Sequence, residues 1–173
     1  MIIVLPALIG ALVGAGITLI FNLWKFHRDE RAARCDELCK SVQEAAIVAL
    51  DYWVKDYKKN NEQVIAETKL QAAQNLLELL YEDFSTYLSE SNANEIEAVL
   101  SQFTRTITGG QYTELGRKAD IERAKLTGPQ ANRLSVSIRR ANRETLPFHN
   151  LVLAFHLNKR RKLDMPVHRC GSY

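Results

Sequence analysis

Two hydrophobic patterns share this chain. Over residues 1–24 no side chain is charged, and from Lys25 onward apolar residues recur every three or four positions with charged residues between them. The first pattern is that of a membrane span. Twenty-four residues at helical rise give about 36 Å, enough to cross about 30 Å of hydrocarbon with some tilt. Pro6 falls in the first turns, where a missing backbone donor does least harm. Trp24 closes the run, and an indole suits the bilayer interface.

The second pattern is that of amphipathic helices. Residues 17–108 contain neither Pro nor Gly, so nothing obliges a helix to stop where the span ends. A helix over residues 25–58 is predicted, burying Cys35, Leu38, Cys39, Val42, Ala46, Ala49, Leu50, Trp53 and Tyr57. The polar KKNNEQ at 58–63 predicts a turn capped by Asn60 or Asn61. A second helix over 62–89 uses Ile65, Leu70, Ala73, Leu76, Leu77, Leu80, Phe84, Tyr87 and Leu88. SESNANE then offers Asn92 as a cap with Glu95 three residues on, the spacing of a capping box. The third helix, over 94–108, buries Ile96, Val99, Leu100, Phe103 and Ile107, and Gly109-Gly110 ends it.

Beyond the paired glycines a short helix over 113–126 is expected on Leu115, Ala119 and Leu126. TGP at 127–129 reads as a fresh start, with Thr127 the cap and Pro129 near the first helical position. The helix after it uses Leu134, Ile138 and Ala141, and Pro147 stops it. LPFHNLVLAFHL at 146–157 is apolar but too short to span a bilayer. It is a buried terminal helix, a strand or a segment on the membrane surface, and its length and poor alternation favour the buried helix. The whole predicts an all-α protein. Residues 1–24 form a single N-terminal transmembrane helix, 25–158 a cytoplasmic antiparallel bundle of four to six helices, and 159–173 a basic C-terminal tail.

A cleaved signal peptide would carry positive charge ahead of its apolar core and a small-residue cleavage site behind it. Here no Lys or Arg precedes the run and FNLWKFHRDER comes after it, which favours an anchor. Lys25, Arg28, Arg31 and Arg34 lie just after the span, so the positive-inside bias puts the N-terminus outside and the longer part of the chain in the cytoplasm; in a bacterial host the membrane crossed would be the inner one. Within the span Gly10, Gly14, Thr18 and Asn22 are four apart, with Ala7, Ala11 and Ala15 beside them. Positions four apart stack on one helix face. In lipid no water-driven burial draws helices together, and small residues act instead by letting backbones approach closely. The stripe predicts helix–helix association; the plainer reading is an anchor that is simply rich in Gly and Ala.

Charge is unevenly spread. Residues 25–40 carry 5 basic and 4 acidic groups, residues 41–104 carry 4 and 11, and residues 105–173 carry 14 and 5. The two halves therefore attract, within one chain or between chains. The competing account makes Arg139, Arg140, Arg143, Lys159, Arg160, Arg161 and Lys162 a patch for anionic lipid or for nucleic acid. Nucleic acid is not favoured, because no aromatic residues interleave with the basic ones.

Three cysteines at irregular spacing suit a reducing compartment better than a disulfide framework. Cys35 and Cys39 read as small buried hydrophobes: zinc wants four ligands, and only His27, His168 and Cys170 remain to add. Lipid attachment to these thiols has only their position to support it. His149 and His156, seven apart, read as core or interface residues. No nucleophile elbow, phosphate-cradling loop or HExxH helix is present; TGGQ at 108–111 is a helix stop, and Glu78, Glu82 and Asp83 lie on an exposed face.

The function expected is thus non-catalytic, with no cofactor and no metal. The chain reads as a membrane-anchored, self-associating scaffold, a homo-oligomer that holds a cytoplasmic protein partner at the bilayer. The small-residue stripe and the helix face of Leu38, Val42, Ala46, Leu50, Trp53 and Tyr57 would carry the assembly. One alternative is a bilayer-permeabilising effector of the toxin or phage-defence kind, triggered by clustering, for which the span offers only Thr18 and Asn22 as polar lining. The other is a membrane-tethered binder of nucleic acid or anionic lipid.

Overall fold

The structure, a computed structural model, describes residues 4–144, with side chains from Ile9 onward. It is all-helical: α1 spans Val4–Trp53, α2 Asn61–Ser85, α3 Glu90–Thr108 and α4 Ile121–Glu144. The expectations for residues 146–157, His149, His156, Lys159, Arg160, Arg161, Lys162 and Cys170 lie outside the described residues.

Fifty residues make α1 one unbroken rod, about 75 Å long at helical rise. Its last five turns bury Cys35, Leu38, Cys39, Val42, Ala45, Ala46, Ala49, Tyr52 and Trp53. The rod stops at Trp53, short of residue 58, because the loop before α4 takes over its hydrogen bonds. Asp120 N–H donates to the Trp53 carbonyl and Tyr57 N–H to the Arg117 carbonyl, both at 2.8 Å. Tyr57 therefore sits in the turn after the helix, half-buried, and not on the helix face. Leu50 is also off the expected face: it is 45% exposed, one step around the helix from the buried Ala49.

Asn60 caps α2, its side chain accepting from Gln63 N–H at 2.9 Å. Along α2 the buried residues recur every seven: Gln63, Leu70, Leu77 and Phe84. The expected burial of Ile65 and Leu76 is corrected, since both are about half exposed. The cap of α3 is Ser89 and not Asn92: the Ser89 hydroxyl accepts from Asn92 N–H at 3.4 Å, and Asn92 lies inside the first turn. At the far end Gly109 N–H returns to the Arg105 carbonyl at 3.0 Å. Gly110 then takes φ 69°, a left-handed conformation that glycine adopts at least cost.

No helix forms over 113–120. Gly116 at φ 79° turns the chain, and Leu115 is 72% exposed. Asp120 caps α4 instead, accepting from Arg123 N–H at 2.9 Å. The TGP at 127–129 is internal to α4, with Pro129 in its third turn. Thr127 is buried, and its hydroxyl bonds the Ala124 carbonyl at 2.8 Å. One stripe explains why the helix runs through a proline: Ala124, Thr127, Ala131, Leu134, Ile138 and Ala141 all face the core. Burial along that stripe outweighs the lost backbone bond, which by itself costs about 3 kcal/mol in a helix interior.

Cross-helix contacts give the packing. Arg34 meets Asp83 at 3.3 Å and Tyr52 meets Glu67 at 3.5 Å, so α2 runs back along α1. Gln43 donates to Asn132 at 3.3 Å ten residues before the end of α1 and Trp53 meets Asp120 at that end, so α4 does the same on the other side. Arg133 reaches Gln102 at 3.4 Å and ties α4 to α3. The apolar side chains of all four helices close one core.

The end of this core farthest from the apolar run is locked around Trp53. Its indole N–H donates to the Ile107 carbonyl at 2.9 Å. The Arg123 guanidinium lies over the same ring at 4.5 Å, and Arg117 lies over Trp53 at 4.9 Å and over Tyr52 at 4.5 Å. Arg117 is buried and also donates to the Tyr52 carbonyl at 3.2 Å.

Two substitutions probe these points. Arg117→Ala should lower unfolding stability by about 2–4 kcal/mol, through lost desolvated cation–π and carbonyl contacts. Pro129→Ala should raise it by about 1–2 kcal/mol by restoring a backbone donor. Urea unfolding of the full chain in mild detergent, followed by tryptophan fluorescence, checks both signs.

Candidate functional site

The part of α1 that precedes the core is apolar and stands free. Leu12, Val13, Ile17, Leu19, Ile20, Phe21 and Leu23 are each more than half exposed. This helix is long and apolar enough to cross a membrane. Water would penalise so much exposed hydrocarbon, and lipid would not. At the end of the run the Arg28 guanidinium lies over the Trp24 ring at 5.3 Å, joining an interfacial indole to the first cationic turns.

Of the six small or polar residues singled out in this run, Ala7 has no described side chain. Around Gly10 and Gly14 the space is open, with nothing within 4 Å of where a Cβ would stand. Ala11 and Asn22 are exposed. Thr18 donates its hydroxyl to the Gly14 carbonyl at 2.9 Å, so that proton is spent inside the helix.

The face of α1 expected to carry assembly has a different occupant. Leu38, Val42, Ala46 and Trp53 are buried in the core of their own chain, against α2 and α4. In the same region α1 leaves another stripe open: Ile47 at 66% exposure, Leu50, and Val54 at 42%. Val54 still belongs to the last helical turn through its N–H bond to the Leu50 carbonyl. On an ideal straight helix of 3.6 residues per turn these three lie about ten turns beyond Ala11, Gly14 and Thr18 and share their side, while Gly10 falls in line with the buried Ala46. Sequence reasoning missed Ile47 and Val54, although their spacing to Leu50 carried the signal. Beside them a groove of about 700 Å³ opens between α1 and α2, with Ile47, Val48, Ile65 and Ala66 in its walls.

On α4, Arg139 and Arg140 turn toward different neighbours. Arg139 lines a groove of about 550 Å³ with Asp36, Cys39, Lys40 and Gln43 of α1. Arg140 lies on the side facing Asn92 and Glu95 of α3 and bonds Glu144 at 3.0 Å. Arg143 is exposed at the end of α4.

Cys35 and Cys39 are buried free thiols one turn apart. The Cys35 thiol hydrogen-bonds Cys39 and holds it down to about 7, with the Arg139 guanidinium adding to that pull against the effect of burial. Cys35 is pushed up by the same hydrogen bond and by burial. Among the described residues no cluster of three metal-ligating side chains occurs.

No protein-family model matches the chain, and neither a curated protein nor a solved structure shows significant similarity to it. Its function has to be read from its own geometry.

For the thiol pair, alkylation by iodoacetamide in a Cys170→Ser background should show a midpoint for Cys39 at pH about 7. Cys35→Ala should move it up toward the ordinary thiol value of about 8.5, and Arg139→Gln should move it less. Peptide mass spectrometry across a pH series reads both shifts.

Proposed function

We propose that this chain is a membrane-anchored, self-associating helical scaffold, with the beginning of α1 spanning a bilayer and the helical body on the cytoplasmic side. The supporting observation is the shared side of α1. Small residues at Ala11, Gly14 and Thr18 and exposed apolar residues at Ile47, Leu50 and Val54 line up along one uninterrupted helix. Two copies laid side by side would bring backbones close within lipid and cover hydrocarbon outside it, by two different forces on one surface. In lipid the gain comes from close packing at small residues. Outside it, the gain comes from removing apolar area from water, at about 25 cal/mol per Å².

The orientation rests on Lys25, Arg28, Arg31 and Arg34, which flank the run on the side of the helical body. The buried, unbridged Cys35 and Cys39 agree with a reducing compartment. A scaffold also needs a surface for a client. The exposed apolar face of α2, with Ile65, Leu76 and Leu79, supplies one on the side away from the core.

Sedimentation of the full chain in detergent tests the reading. A dimer or higher oligomer is expected. Gly14→Leu and Leu50→Glu should each weaken it about tenfold or more, and the two together should yield monomer. A wild-type chain that is monomeric at every concentration would end the proposal.

A further inference from the structure

Cys35 and Cys39 stand one turn apart on the core face of α1, 2% and 3% exposed, with their sulfurs in hydrogen-bond reach of each other. Positions four apart on a helix hold their Cβ atoms about 5–6 Å apart. A disulfide wants about 3.5–4.5 Å between Cβ atoms, so a direct bond would strain the rod. An ion held between the two sulfurs asks for less. With metal–sulfur bonds of about 2.3 Å, the zinc–thiolate length, a linear ion sets its sulfurs about 4.6 Å apart. That separation lies between the hydrogen-bonded sulfurs and the spacing of their Cβ atoms. The pair is spaced as two ligands of one bridging ion.

Ligand number and charge select the ion. Zinc wants four ligands, and among the described residues no group of three His, Cys, Asp or Glu could hold a metal. A soft monovalent ion is satisfied by two thiolates and needs no water. Two thiolates and one such ion leave a single negative charge, and a buried charge has to be met. Cys39 lines the groove between α1 and α4, whose charged residues are Lys40 and Arg139 against Asp36, one positive charge in excess. The Arg139 guanidinium is itself in hydrogen-bond reach of the Cys39 sulfur. The bond from the Cys39 thiol to the Ser135 carbonyl, which metal binding would end, is long at 3.8 Å.

We propose that Cys35 and Cys39 form a two-coordinate copper(I) site bridging one turn of α1, with the Arg139 guanidinium as counter-charge and the groove of about 550 Å³ as the way in. The ion arrives from a small thiol carrier by exchange. A copper–sulfur bond to Cys39 replaces one to the carrier, and a bond to Cys35 replaces the other. The two carrier sulfurs take up the two protons that the cysteines release, and no electron is transferred. The site stands whether or not α1 crosses a bilayer or associates with a second copy.

The test uses the full chain in mild detergent without oxygen, in a Cys170→Ser background, and copper(I) held by the coloured chelator bicinchoninate. The chain should bleach the complex by withdrawing one copper(I), and an equal amount of zinc should not compete. X-ray absorption at the copper edge should show two sulfur neighbours and no oxygen or nitrogen. Cys35→Ala and Cys39→Ala should each abolish uptake, with helix content checked by circular dichroism. Arg139→Gln leaves both ligands in place and should weaken uptake about tenfold. A chain that leaves the copper with the chelator overturns the proposal, and so does uptake that persists in either alanine variant. One ion for every two chains, with four sulfurs around it, would place the ion between copies and also overturn it. The sulfur count on the unaltered chain decides the ligands even where an alanine variant unfolds.

Discussion

One rod carries two hydrophobic patterns, an apolar run long enough to cross a membrane and an amphipathic stretch that builds the core, and the other helices pack on the second. The early turns of α1 carry apolar side chains on all sides, which suits hydrocarbon and wastes nothing on a core. The later turns must present one apolar arc to α2 and α4 and polar residues elsewhere. Because no Pro or Gly intervenes after Gly16, the two regimes share a helix axis and a rotational phase. Anything α2 and α4 do to orient the second half therefore sets the direction in which Gly10, Gly14 and Thr18 face.

The Trp53 closure makes that coupling firm. The indole sits at the end of α1 and is bonded or stacked to the end of α3 through Ile107, to the loop before α4 through Arg117 and to α4 through Arg123. Arg117 is a buried cation whose charge is met by aromatic faces and backbone carbonyls. Burying a charge is costly unless such partners surround it. The same cluster takes up the end of α1, since Asp120 and Arg117 bond the backbone of Trp53 and Tyr57. A helix that periodicity alone would carry on for another turn is thus ended by its tertiary partners.

The self-association proposed above draws on one part of this frame. It uses the side of α1 that α2 and α4 leave uncovered. The uneven charge along the sequence takes on a local meaning here: Arg34 reaches the acidic α2 at Asp83, while Arg139 and Arg140 turn toward different neighbours.

Much of this was legible in the order of residues. Helix type, the unbroken run of α1, the cap at Asn60, the stop at Gly109-Gly110 and the long uncharged stretch all come from local rules: hydrophobic period, capping chemistry and side-chain charge. Three features were not legible, each for the same reason. Pro129 looks like a beginning until the stripe on either side of it is seen buried. Ser89 and Asn92 are both good caps, and only the backbone at Ser89, extended at φ −71° and ψ 153°, selects between them. Leu50, Ile65 and Leu76 match a helical period as well as their buried neighbours do, yet they face outward. A periodic pattern tells which residues share a face. How wide an arc is covered depends on the number and direction of the neighbouring helices, a non-local quantity that only the packed chain decides.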